Sequence, residues 1–136
     1  MSFSEIQSLL NCGGEEVTIN SIKYDEDLDL GGGARFIWNG KRNWAVITTG
    51  NFMNDAGGGN YLPSTNSLPS TENFGLYMTA RASPISLTYY GFCLANGNYT
   101  VFLHFAEIVF IDDKTYSSLG RRVFDIYIQV YGYQFF

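Results

Sequence analysis

Apolar and polar residues alternate along much of the chain with a period of two, the spacing of a β-strand that buries one face. Between Tyr99 and Phe105 the positions Tyr99, Val101, Leu103 and Phe105 fall on one side, and Thr100, Phe102, His104 and Ala106 on the other. Towards the C-terminus Phe124, Ile126 and Ile128 alternate with Asp125, Tyr127 and Gln129. Read this way, the sequence predicts strands over Ser8–Cys12, Val17–Tyr24, Ala34–Trp38, Trp44–Thr48, Phe74–Arg81, Ser86–Leu94, Tyr99–Phe110 and Arg122–Tyr131. Only Ser4–Leu9 offers a helical turn, with Ser4 as its cap. Ala95-Asn96-Gly97-Asn98 reads as a hairpin turn, because Asn-Gly tolerates positive φ. Gly31-Gly32-Gly33 and the stretch from Asn51 to Asn73, rich in Gly, Asn, Ser, Thr and Pro, read as loops. Many short strands with regular turns predict an all-β fold, an antiparallel β-sandwich.

The length of 136 residues suits one domain able to bury a core. Apolar residues make up 46% and aromatics 17%, which excludes an intrinsically disordered composition. Ten Tyr residues point to sheet faces or binding surfaces, since a buried phenol wants a partner for its hydroxyl. The net charge of −5 argues against a nucleic-acid partner, whose phosphates need clustered Lys and Arg. The one tight basic pair, Arg121-Arg122, is expected to cap a strand or to pair with Asp112, Asp113 or Asp125. No apolar run of 18 residues exists, so direct membrane insertion is not expected, and Met1–Leu10 lacks the pattern of a signal peptide.

The acidic run Asp25-Glu26-Asp27-Leu28-Asp29 fails as a calcium loop, because Leu30 and Phe36 stand where an EF-hand needs Gly and Glu. It reads instead as a solvated loop. Neither glycine cluster completes a phosphate-binding loop. Two Cys and one His are too few for a zinc site, so no metal or cofactor is expected. His104 reads as a half-buried, hydrogen-bonded sheet residue rather than a catalytic base. Glu107 and Asp125 are the one carboxylate pair to consider for glycoside hydrolysis, and nothing marks them as special, so no catalytic residue is assigned. Asn98-Tyr99-Thr100 is an N-glycosylation sequon, with Asn98 as acceptor at an exposed turn.

Five segments together resemble one family. They are Asn11-Cys12-Gly13-Gly14-Glu15-Glu16-Val17, Asn43-Trp44-Ala45 with Gly50-Asn51-Phe52-Met53, and Leu76-Tyr77-Met78-Thr79-Ala80-Arg81. The fourth and longest runs from Leu87 through Asn98-Tyr99-Thr100 and Leu103-His104-Phe105-Ala106-Glu107-Ile108 to Phe110. The fifth is Tyr116 to Gln129, with Gly120-Arg121-Arg122-Val123-Phe124-Asp125 at its centre. In order and spacing they are similar to the malectin domain of plant leucine-rich-repeat receptor-like kinases, over residues 8–129. Residues 1–7 and 130–136 lie outside the resemblance, which implies a jelly-roll sandwich incomplete at its C-terminal end, with open strand edges.

The resemblance implies a non-catalytic module on the extracellular side of the plasma membrane, part of a receptor whose repeats, membrane span and kinase are not in this chain. Its expected partner is an oligosaccharide or cell-wall glycan, or else a co-receptor protein or peptide. Sugars present C–H faces that pack on aromatic rings and hydroxyls that need oriented polar groups. The implied ligand positions are Tyr77, Tyr89, Tyr90, Val109 and Phe110. The animal malectin has Tyr-Phe where this chain has Val109-Phe110, so a stacking face and a hydroxyl are lost there. An extracellular setting also admits a Cys12–Cys93 disulfide, which would stabilise by roughly 4 kcal/mol through loop closure.

Overall fold

The computed structural model describes residues 8–30, 32–38, 40–53, 61–66, 74–110, 116–119, 122–129 and 131–135. Eight strands run in chain order with no α-helix among the described residues: β1 (Leu10–Asn11), β2 (Val17–Ile19), β3 (Ile22–Glu26), β4 (Arg35–Trp38), β5 (Trp44–Thr49), β6 (Ser86–Gly91), β7 (Phe124–Ile128) and β8 (Tyr131–Phe135). The fold is all-β and sandwich-like, with antiparallel pairing throughout except between β1 and β3. The sheets have orders β1-β3-β2, β4-β5-β6 and β7-β8.

The expected strand Val17–Tyr24 is broken into a hairpin. Asn20 and Ser21 take φ of 50° and 65°, and Ile19 pairs with Ile22. A two-residue turn of type I′ has positive φ at both central positions, and its twist matches that of the flanking strands. β4, β5 and β6 fall close to the expected spans. β5 is the central strand, and its Trp44, Ala45, Val46 and Thr48 are all buried. Its apolar run is covered on both faces, and the core is built round it.

Two expected strands are not formed. Phe74–Leu76 is a turn of 3₁₀ helix, and Thr79 makes a single bridge to Ser64. Backbone hydrogen bonds from Thr65 to Met78, Ala80 to Pro63 and Ala82 to Tyr61 tie this segment to part of the long loop. The described part of that loop is therefore anchored: Tyr61 is buried, its ring 5.0 Å from that of Phe52, and its hydroxyl accepts from the Phe52 amide at 3.1 Å. The other case is Tyr99–Phe110, which joins no ladder among the described residues, and residues 98–107 are all exposed. Period-two alternation makes a segment fit to be a strand, but a neighbouring strand must supply the hydrogen bonds. Residues 95–98 accordingly form a bend and not a hairpin turn. β7 and β8 pair from Phe124↔Phe135 to Ile128↔Tyr131, with Gln129 at a φ of 56° in the turn. Of Ser4–Leu9 only Ser8 and Leu9 are among the described residues, and neither is helical.

Candidate functional site

The acidic run is not a solvated loop. Asp27 is 1% exposed, and its carboxylate is the centre of a buried network between the two larger sheets. Arg81 donates to it twice, from Nε to Oδ2 at 2.5 Å and from Nη2 to Oδ1 at 2.7 Å. The Tyr89 hydroxyl donates to Oδ2 at 2.7 Å, and the Gly13 amide at 3.3 Å. Arg81 Nη2 also reaches the Asp27 and Asp29 carbonyls. A buried charge is tolerable only when paired and hydrogen-bonded in this way. Burial is the largest influence on Arg81 and pulls its pKa down, but the hydrogen bonds and charge of Asp27 outweigh it and leave it raised. Gly13 makes the approach possible. Its φ is +79°, and a Cβ there would sit 2.5 Å from the Ala80 carbonyl carbon. Gly13 of the first recognisable segment and Arg81 of the third thus meet at the Asp27 carboxylate.

Beside this network a groove of about 250 Å³ opens between the end of β3 and the β4–β5 hairpin. Glu26, Asp27, Leu28 and Asp29 line one wall, and Ile37, Trp38, Arg42 and Trp44 the other. Arg42 is clamped by Asp25 at 2.7 Å and Glu26 at 3.1 Å, and its hydrogen bond with Asp25 is the main reason its pKa is raised. Asp29 pairs with Arg35 at 3.2 Å. Trp38 is 57% exposed, whereas Trp44 is buried and its indole N–H has no acceptor among the described residues. Reading the sequence missed Glu26, Asp29, Trp38 and Arg42 as groove residues. The one available signal was a Trp at the end of a strand beside an Arg-containing turn.

The expected ligand positions are dispersed. Tyr89 and Tyr90 are neighbours on β6 and face opposite sides. Tyr89 turns in to Asp27, and Tyr90 is exposed. Burial, with the charges of Cys12 and Asp27 beside it, pushes the Tyr89 phenol far above its ordinary value. Tyr77 joins His104: its hydroxyl lies 2.9 Å from Nδ1, and the rings are 5.9 Å apart. His104 is exposed, not half-buried in a sheet, because its segment joins no ladder. Val109 is exposed, and the Arg122 guanidinium sits 5.3 Å from the centre of the Phe110 ring.

Glu107 is occupied in organising this corner. Its Oε1 accepts from the Val109 and Phe110 amides at 2.9 and 3.2 Å, and its Oε2 pairs with Arg122 at 3.0 Å. Arg122 thus meets Glu107, and Asp112 and Asp113 lie outside the described residues. Asp125 accepts from the hydroxyl of Tyr127 on its own strand, at 3.5 Å. Among the described residues no cluster of His, Cys, Asp and Glu could hold a metal ion, and no helix is long and apolar enough to cross a membrane. Asn98 is exposed. Cys12 and Cys93 are both free thiols, so the disulfide that the resemblance implies is not formed here. Cys12 lies inward against Tyr89 and Asp27, and Cys93 is exposed with a φ of 58°. Burial raises the Cys12 pKa above 9.0, against a hydrogen bond with Tyr89 that lowers it.

Comparison with known proteins places these observations. The Malectin domain family matches residues 6–132. A probable LRR receptor-like serine/threonine-protein kinase of Arabidopsis thaliana is 52% identical over 126 residues. A probable leucine-rich repeat receptor-like serine/threonine-protein kinase of the same plant is 46% identical over 127 residues, and the probable LRR receptor-like kinase RFK1 is 43% identical over 125. In all three the match covers 88% of this chain and 12% of the relative. No solved structure matches the chain.

Proposed function

The chain belongs to the malectin domain family, and on that footing we propose that it senses a glycan or cell-wall type of ligand in the extracellular part of a plant receptor-like kinase. It is a malectin domain and not a kinase domain, and it spans only 12% of the receptor-like kinases it matches. The observation that carries the glycan reading is that half-buried rings stand next to fixed polar groups. Tyr77 is held by His104, and Phe110 lies under Arg122 beside Glu107. A ring face with an oriented polar neighbour suits a sugar, which is apolar on its C–H face and polar at its hydroxyls. The carboxylates have non-chemical tasks: Asp27 neutralises Arg81, and Glu107 holds two amides and Arg122. On this reading the module would face the outer side of the plasma membrane, where Asn98 would be open to glycosylation.

Screening the 136-residue chain against an array of plant and glucose-rich oligosaccharides tests this. Binding that weakens in Tyr77→Ala and Phe110→Ala is expected; an array with no signal would remove the glycan reading. One observation favours a protein or peptide ligand as the second reading. Residues 98–104 are exposed and join no ladder among the described residues, so a co-receptor segment could add there as a strand. A pull-down with receptor ectodomains, positive while the array stays blank, would select that reading.

A further inference from the structure

We propose that the groove between the end of β3 and the β4–β5 hairpin is a subsite for one ring of a neutral oligosaccharide, with Trp38 as its stacking face and Arg42 and Glu26 as its hydroxyl partners. This rests on the glycan reading above and adds to it a subsite apart from Tyr77 and Phe110.

Three observations carry it. The first is Trp38. An indole more than half exposed at the mouth of a groove is a large apolar face kept in water, and it can stack on the C–H face of a sugar at small conformational cost. The second is the state of the polar wall. Arg42 is held by both Asp25 and Glu26, so donor and acceptor atoms are fixed side by side before any ligand arrives. Adjacent sugar hydroxyls each donate and accept, and such a carboxylate–guanidinium pair matches them without demanding a net charge.

The third observation is charge, which chooses between neutral and acidic sugars. Asp25, Glu26, Asp27 and Asp29 gather here against Arg35, Arg42 and Arg81, and each carboxylate already has its guanidinium. One negative charge is left over, on a chain whose net charge is −5. The one cation lining the groove among the described residues, Arg42, is already paired, so a uronate would be repelled by the surplus. Size sets the length of the bound part. About 250 Å³ is below the range of roughly 300–1,000 Å³ for pockets that enclose drug-sized ligands, so the groove seats one ring and the rest of the chain leaves along the surface.

The protein carries two Trp, one exposed and one buried, which gives a direct reporter. The whole chain is titrated with hexamers of β-1,3-, β-1,4- and α-1,4-linked glucose and with hexagalacturonate, following iodide quenching of tryptophan fluorescence and calorimetric affinity. Expected are protection of Trp38 by at least one neutral hexamer, a loss of affinity of about tenfold or more in Trp38→Ala, near recovery in Trp38→Phe, and no binding of the uronate. Trp38 is exposed, so its replacement spares the core, and an unchanged melting curve checks this. Neutral-sugar binding that survives Trp38→Ala but is lost in Tyr77→Ala overturns the groove and leaves the glycan reading standing. Tighter binding of hexagalacturonate overturns the choice of a neutral ligand. Failure of the unaltered chain to bind any of the four probes removes the groove and counts against the glycan reading as well.

Discussion

Around β5 the apolar side chains are sealed, whereas along residues 98–107 they stand in solvent. Ala45 and Val46 are fully buried. Leu103 is 49% exposed and Phe102 81%, although their segment alternates more regularly than β5 does. The difference is what each segment has beside it. β5 is bonded to β4 and β6, and the Asp27–Arg81–Tyr89 network closes the space between its sheet and the β1-β3-β2 sheet. Residues 98–107 have no such neighbour among the described residues, and the β7-β8 hairpin touches them through the Phe105–Phe124 ring contact and the Glu107–Arg122 pair. An apolar pattern is thus a capacity for burial, and a partner surface realises it.

The contrast is open to experiment. Its largest expected effect is at the network. Arg81→Ala leaves Asp27 as a buried charge without its partner and should cost about 3–5 kcal/mol in urea unfolding, whereas removing both charges in Asp27→Leu/Arg81→Leu should cost less than the single change. A smaller loss for Arg81→Ala than for any surface change would break the comparison. Tyr89→Phe comes next, since it removes one donor to a buried carboxylate, at about 1–3 kcal/mol by the same measurement.

The network also sets an alkaline limit. The unfolded chain gives up the Cys12 and Tyr89 protons from about pH 9 and 10 upward, from the ordinary values of 9.0 and 10.0, while the folded chain keeps them because both pKa values are raised. A proton kept in the folded state and lost in the unfolded one makes stability fall as pH rises. Unfolding free energy should therefore decline above pH 9, and less steeply in Tyr89→Phe. Stability that is level from pH 8 to 11 would contradict this. In the same range Cys93 should be alkylated well before Cys12, which mass spectrometry reads directly.

The smallest effects belong to the open region. Leu103→Ser should change stability by no more than about 0.5 kcal/mol, and Glu107→Gln by about 0.2–1 kcal/mol, as for an exposed ion pair. Amide exchange should divide the molecule in the same way, with Ala45–Thr48 protected and residues 99–107 exchanging close to the rate of free peptide. Strong protection at Leu103 would show that the segment finds a strand partner in solution.

The sequence made the β4–β5–β6 sheet legible because each strand is a short β-branched and aromatic run and the β4–β5 turn is polar, although only β5 buries its apolar residues while Phe36 and Trp38 stay exposed. The all-β class followed from the same signal. The Asn20-Ser21 turn was hidden because Ser is a weak marker of positive φ, and only the register of Ile19 with Ile22 reveals it. The groove and the buried network were not legible. An acidic run has the same composition whether it is solvated or pinned by guanidiniums, and the Arg residues that pin it come from other strands and loops. Tyr89 and Tyr90 look alike in sequence, and the pleat alone assigns one to the interior and the other to water.

Position 13 works as a requirement for an achiral residue. Its backbone turns with a hand that L-amino acids resist, and the Ala80 carbonyl stands where their first carbon would go. A D-alanine placed there by chemical ligation favours that hand and points its methyl the other way, so it should preserve the fold that L-alanine disrupts. Mirror-image substitution at this single site would separate the demand of chirality from that of volume.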